Sequence, residues 1–98
     1  MKFQEMISNY DPSVEEEVLL MVDEALENKI ILFNDEVNTF DFVIDSLMSV
    51  CGHDPMQAEQ CTLIVHFKGK CDVKRGDYGD LEPLCTALLD RGLTAEIQ

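Results

Sequence analysis

Basic residues are scarce in this chain: seven Lys and Arg stand against 20 Asp and Glu, a formal net charge of -13. Nucleic-acid recognition rests on neutralising phosphates with Lys and Arg, so DNA, RNA and anionic membranes are poor partners for such a surface. No stretch approaches the roughly 18 consecutive apolar residues of a membrane span, and the opening MKFQEMISNY lacks the apolar core of a signal peptide. The expected location is the cytoplasm. Catalytic motifs are missing too, with no CxxC pair, no HExxH, no GxSxG and no glycine-rich phosphate loop. Cys51, His53, Cys61 and His66 supply thiols and imidazoles, but two of them fall on apolar faces needed for packing. Cys61 and His66, five apart on a helix, point to different faces. No enzyme activity, metal or cofactor is therefore expected. Without a secretion signal, Cys51, Cys61, Cys71 and Cys85 read as small buried hydrophobes rather than a disulfide framework.

What is present suits one small domain with an extension. The chain has 98 residues, 46% of them hydrophobic, enough for a core of its own. Residues 1–28 hold eight acids against one base, Lys2. They read as an acidic N-terminal extension, flexible or marginally helical, in which Val14, Val18, Met21, Val22 and Ala25 have helical spacing. Residues 29–98 form the core domain.

Ile30-Ile31-Leu32-Phe33 is apolar on both faces and stops at Asn34-Asp35-Glu36, a buried strand entering a polar turn. A helix follows from about Thr39 to Val50, with Asn38 expected as its N-cap and Phe40, Val43, Ile44, Leu47 and Cys51 as its apolar stripe. Asp54-Pro55-Met56-Gln57 combines a cap, a proline in the first turn and a capping-box partner, the best helix start in the sequence. Ala58, Cys61 and Val65 give that helix its apolar face, Gly69 ends it, and His66 sits in its last turn. Cys71 and Val73 alternate with charges as an amphipathic strand. Asp77 opens a third helix carrying Leu81, Leu84, Cys85, Leu88 and Leu89, closed by Gly92. Pro83 predicts that this helix starts late or has an irregular first turn. Leu93, Ala95 and Ile97 alternate in a last strand. The order β-α-α-β-α-β predicts an α+β sandwich, a three-stranded sheet packed against three helices.

The corner after the first strand carries the chemistry. Asn34 offers a carbonyl oxygen, Asp35 and Glu36 carboxylates, and a neutral His66 a lone pair, all next to apolar residues. Such acceptors could hold the α-ammonium group of a chain's N-terminus while a pocket takes its first side chain. Read alone, the same residues also fit a solvated turn and a histidine that complements a helix C-terminus.

LFNDEVNTFDFVIDSL resembles the ClpS motif, a strand, then Asn-Asp-Asp, then a helix opening Met/Phe-x-Phe-Val. AEQCTLIVHFKGK is similar to the second helix of that family, which ends in His-Tyr/Phe-x-Gly-Lys. The resemblance is close over residues 30–73. It implies an adaptor that binds substrate proteins beginning with Leu, Phe, Tyr or Trp and delivers them to a Clp AAA+ unfoldase, docking on the N-terminal domain of ClpA or a similar partner. On that resemblance Asn34, Asp35, Glu36 and His66 serve the α-amine, and Leu32, Asn38, Phe40, Val43, Thr62 and Val65 the side-chain pocket. Glu36 stands where the family has Asp, Asn38 where it often has Thr, and Phe40 and Thr62 where it has Met. The Thr62 hydroxyl therefore needs a partner. Gly79 and Leu84 occupy the third helix where the family carries charged docking residues. An alternative of another class is a protein-interaction domain like the C-terminal domain of the ribosomal stalk protein, which has the same element order and ignores N-termini.

Overall fold

The computed structural model describes residues 27–98, so most of the expected extension, including its helical spacing at Val14–Ala25, lies outside the described residues. The elements are β1 (Asn28–Phe33), α1 (Phe40–Cys51), α2 (Pro55–Lys68), β2 (Lys70–Gly76), α3 (Tyr78–Asp90) and β3 (Thr94–Ile97). This is the expected β-α-α-β-α-β sandwich. The sheet order is β2-β1-β3 with both pairings antiparallel, which puts the most apolar strand in the middle. Ile30, Leu32, Val73 and Ala95 from the sheet form one core with Leu47, Cys51, Ala58, Val65, Leu81, Cys85 and Leu88 from the helices. Fully burying each large aliphatic side chain is worth about 1.5–3 kcal/mol, which lets a small two-layer core hold.

The helix starts show which local signals decide. Asp54 caps α2 as expected, its Oδ1 accepting from the Gln57 amide at 2.8 Å. At α1 the expected cap is corrected: Thr39, not Asn38, is the N-cap, with its Oγ1 accepting from the Phe42 amide at 3.2 Å. Asn38 is drawn away by tertiary partners described below. The third helix starts neither late nor at Pro83: it runs from Tyr78 through Pro83, and Asp77 makes no side-chain cap bond. Proline removes the bond to the Gly79 carbonyl, but Gly79 and Pro83 are both exposed, so water can replace it. Burial of Leu81, Cys85 and Leu88 on one face holds the turn together. Beyond its last residue the Gly92 amide donates to Leu89 and the Leu93 amide to Leu88, at 2.9 and 3.1 Å. Gly92, at φ 87°, supplies the left-handed turn that this closure needs.

One irregularity in the sheet places a histidine. Ile30 pairs with Lys74 while Ile31 pairs with Asp72, so Val73 is an extra residue, a bulge on the edge strand β2. His53, from the turn between α1 and α2, lies against it and its Nε2 donates to the Val73 carbonyl at 2.6 Å. Sequence reading named His53 among the imidazoles weighed for a metal site, yet it is a packed residue, 6% exposed. The four cysteines are free thiols. Burial pushes the Cys51 thiol up to about 11. Burial first, then the neighbouring Cys61, pushes the Cys71 thiol up to about 12. Thiolate is therefore rare at both near neutrality, as suits packing residues.

Candidate functional site

The two motif segments meet because α2 ends where β1 ends. Gly69, at φ 92°, closes α2 in a left-handed conformation and its carbonyl accepts from the Asn34 amide at 2.9 Å. Phe33 then pairs with Lys70 at the start of β2. This one connection fixes the last turn of α2, with His66, beside the polar end of β1, with Asn34.

The turn between β1 and α1 is organised by Asp35. Its Oδ1 accepts from the Val37 and Asn38 amides at 2.9 and 2.8 Å, and its Oδ2 from Asn38 Nδ2 at 2.9 Å. Burial acts to raise the carboxyl's pKa, but these bonds outweigh it and hold the Asp35 carboxyl below its ordinary value of 3.8. Asn38 Nδ2 also donates to the Gly92 carbonyl at 3.0 Å, which clamps the turn onto the end of α3. Both oxygens of Asp35 are thus engaged in shaping the turn. Asn34 and Glu36, on either side of it, are exposed.

Between this turn and the α1–α2 pair lies a cavity of about 370 Å³. All ten residues singled out from the sequence line it: Leu32, Asn34, Asp35, Glu36, Asn38, Phe40, Val43, Thr62, Val65 and His66. Leu32, Thr62 and Val65 are buried, Val43 is half-buried, and Asn34, Glu36, Phe40 and His66 are exposed. The result is a chamber of mixed lining, with apolar walls at Leu32, Val43 and Val65 and with exposed acceptors and aromatic rings among its other residues. The His66 ring meets Phe40 at a tilt and Phe67 edge-on, with ring centroids 5.1 and 5.0 Å away. The Thr62 hydroxyl has its partner, the Ala58 carbonyl one turn back, at 2.7 Å.

Phe33 and Leu93 also line the cavity and were missed. Phe33 belongs to an unbroken apolar run, so strand alternation could not tell its face. Leu93 reads as the start of a strand, and only the pairing of β3 beside β1 brings it to the cavity. Cys51 and His53 lie in a second depression with Gln57, Asp72, Lys74 and Arg75, away from this cavity. Among the described residues no group of three or more His, Cys, Asp or Glu is placed to hold a metal ion, and no helix is long and apolar enough to cross a membrane.

Residues 23–96 match the family model described as ATP-dependent Clp protease adaptor protein ClpS. Two curated proteins, the ATP-dependent Clp protease adapter proteins ClpS of Escherichia coli O1:K1 / APEC and of Salmonella newport (strain SL254), are each 36% identical to this chain over 62 residues. The aligned part is 63% of this chain and 58% of theirs, so the chain spans under two thirds of the length of the curated relatives it matches. Among solved structures, Agrobacterium tumefaciens ClpS2 bound to L-phenylalaninamide superposes with a TM-score of 0.70 at 19% identity, over 74% of this chain and 94% of that one. That likeness is one of fold. The stalk-domain alternative is not favoured by these matches.

Proposed function

Because the chain belongs to the ClpS family of ATP-dependent Clp protease adaptor proteins, we propose that its cavity captures the N-terminal residue of a substrate protein and that the chain delivers this substrate to a Clp AAA+ unfoldase such as ClpA. The observation that carries this reading is the mouth of the cavity. Asn34 and His66, from two separate elements, stand at one opening with Glu36 nearby, above walls made by Leu32, Val43 and Val65.

An α-ammonium group brings three donors and one positive charge. Asn34 Oδ1 and a ring nitrogen of neutral His66 accept two of the bonds, and Glu36 takes the third directly or through a water. Asp35, with both oxygens in the turn, holds Asn34 and Glu36 in place rather than binding the amine itself. The first side chain enters the chamber, where its burial contributes about 1.5–3 kcal/mol for Leu, Phe, Tyr or Trp. Phe40 walls the mouth with a ring that has only two rotatable bonds. It disfavours a branch at Cβ and so selects against Ile and Val. The ligand in the Agrobacterium tumefaciens ClpS2 structure, L-phenylalaninamide, is a free α-amine with a benzyl side chain, the chemistry this cavity offers to hold. The role is one of binding and transfer, and no bond is made or broken.

The test is fluorescence anisotropy with two peptides identical except that one begins with a free Phe and the other is N-acetylated. Binding of the free form at least tenfold tighter supports capture of the amine. Equal binding of the two refutes it.

A further inference from the structure

We propose that Thr62 makes the floor of the cavity selective for N-terminal tyrosine over phenylalanine by accepting a hydrogen bond from the phenol hydroxyl. The inference rests on the capture reading and adds a polar specificity element to it.

Among the described residues that line the cavity, Thr62 is the only buried polar one, 4% exposed. Its proton is committed, because Oγ1 donates to the Ala58 carbonyl at 2.7 Å. What the hydroxyl retains is acceptor capacity, and a phenol O–H is a donor. Phenylalanine cannot use this acceptor, yet it costs the site little, since the Thr62 proton stays bonded either way.

The position along α2 fits the length of the ligand. Thr62 and His66 are four residues apart, on one face of the helix and about 6 Å apart along its axis. With the α-amine held at His66, a ring directed down the chamber past Val65 carries its para atom one helical turn deeper, to the level of Thr62. Leu32, Val43 and Leu93, which also line the cavity, are apolar, and the amide nitrogen of the half-buried Asn38 is engaged by Asp35 and Gly92. A phenol buried against the apolar walls alone would lack a partner, which is costly. An acceptor at Thr62 turns a hydroxyl on the ring from a liability into a gain.

The experiment compares peptides identical after a first Tyr or Phe, each beside its N-acetylated twin, on wild type, Thr62→Val and Thr62→Ser. Valine keeps the shape and removes the acceptor, while the Ala58 carbonyl keeps its helical amide donor. Serine keeps the acceptor. The expected result is a Tyr-over-Phe affinity ratio that falls about fivefold or more in Thr62→Val, the worth of one neutral hydrogen bond. In Thr62→Ser the ratio stays within about twofold of wild type by the same measure. Circular dichroism confirms that both variants are folded. A ratio unchanged in Thr62→Val, with acetylated peptides still rejected, overturns the role of Thr62 alone. Loss of discrimination against acetylated peptides in wild type overturns amine capture and this inference with it.

Discussion

Replacing Asp35 separates the two jobs a carboxylate could have at this corner. If it shapes the turn, its loss must register in stability before any ligand is present. Three hydrogen bonds end on it, from the Val37 amide, the Asn38 amide and Asn38 Nδ2. The residue is half-exposed, so each bond sits toward the low end of the usual range, and Asp35→Ala should cost about 2 kcal/mol in all. In a domain of this size that lowers Tm by roughly 10 °C. Asp35→Asn keeps the shape and Oδ1 but sets an amide against Asn38 Nδ2, and should cost about 1 kcal/mol. The pH dependence has a definite sign. The Asp35 carboxyl is held below its ordinary value of 3.8, so its contribution is complete above that value and disappears as pH falls through the lowered folded one. Thermal melts of wild type and both variants, at neutral pH and near pH ~2, should therefore show an Asp35→Asn deficit at neutral pH that closes in acid. Equal melting temperatures at neutral pH, or a deficit that persists unchanged in acid, would refute the assignment of Asp35 to the turn.

The other predictions concern capture, delivery and the core. Asn34→Ala should weaken binding of a free N-terminal Phe peptide by about tenfold or more without changing the melt, the range for a bond to a charged group; a loss under about twofold contradicts it. His66→Ala should weaken binding of the same peptide several-fold, as the loss of one bond to a charged group does; an affinity unchanged within about twofold argues against its role. Removing residues 1–26 should leave peptide affinity intact while abolishing Clp-dependent degradation of a model substrate, and degradation at the full-length rate would show that the extension is not a delivery element. Leu47→Ala removes a fully buried side chain from the centre of α1 and should cost about 2.7–5 kcal/mol in chemical denaturation; a loss under about 1 kcal/mol would mean that the core closes over the gap.

Local signals in this sequence were readable where local bonds decide the outcome. Asp54-Pro55 is a helix start whether or not the rest of the protein is present, and the stripe of Leu81, Cys85 and Leu88 is periodic by itself. Asn38 misled because its amide bonds to Gly92, 54 residues away, and to Asp35, which left the cap to Thr39. Pro83 misled for a related reason: buried neighbours on α3 outweigh one missing bond. The bulge at Val73 has no composition signal, since it exists only relative to Ile30 and Ile31 across the sheet. All ten candidate residues converge on one cavity, but periodicity alone would not have joined Asn34 to His66. The element order brought them near each other and the motif resemblance paired them, and Gly69 is the physical reason, by turning the chain so that two polar ends meet.

His53 also bears on what the protein refuses to bind. An adaptor of the kind proposed here meets polypeptides with extended, unpaired backbones, and an open strand edge would accept any of them regardless of sequence. The outer strand β2 is the edge nearest α2, and at its midpoint the Val73 carbonyl is already taken by the imidazole. The bulge throws the flanking residues out of step, so an incoming segment cannot continue a regular ladder past it. Backbone pairing, the least discriminating form of peptide recognition, is closed off there. On the proposed reading, this edge then does not compete with the cavity, where a chain presents its end.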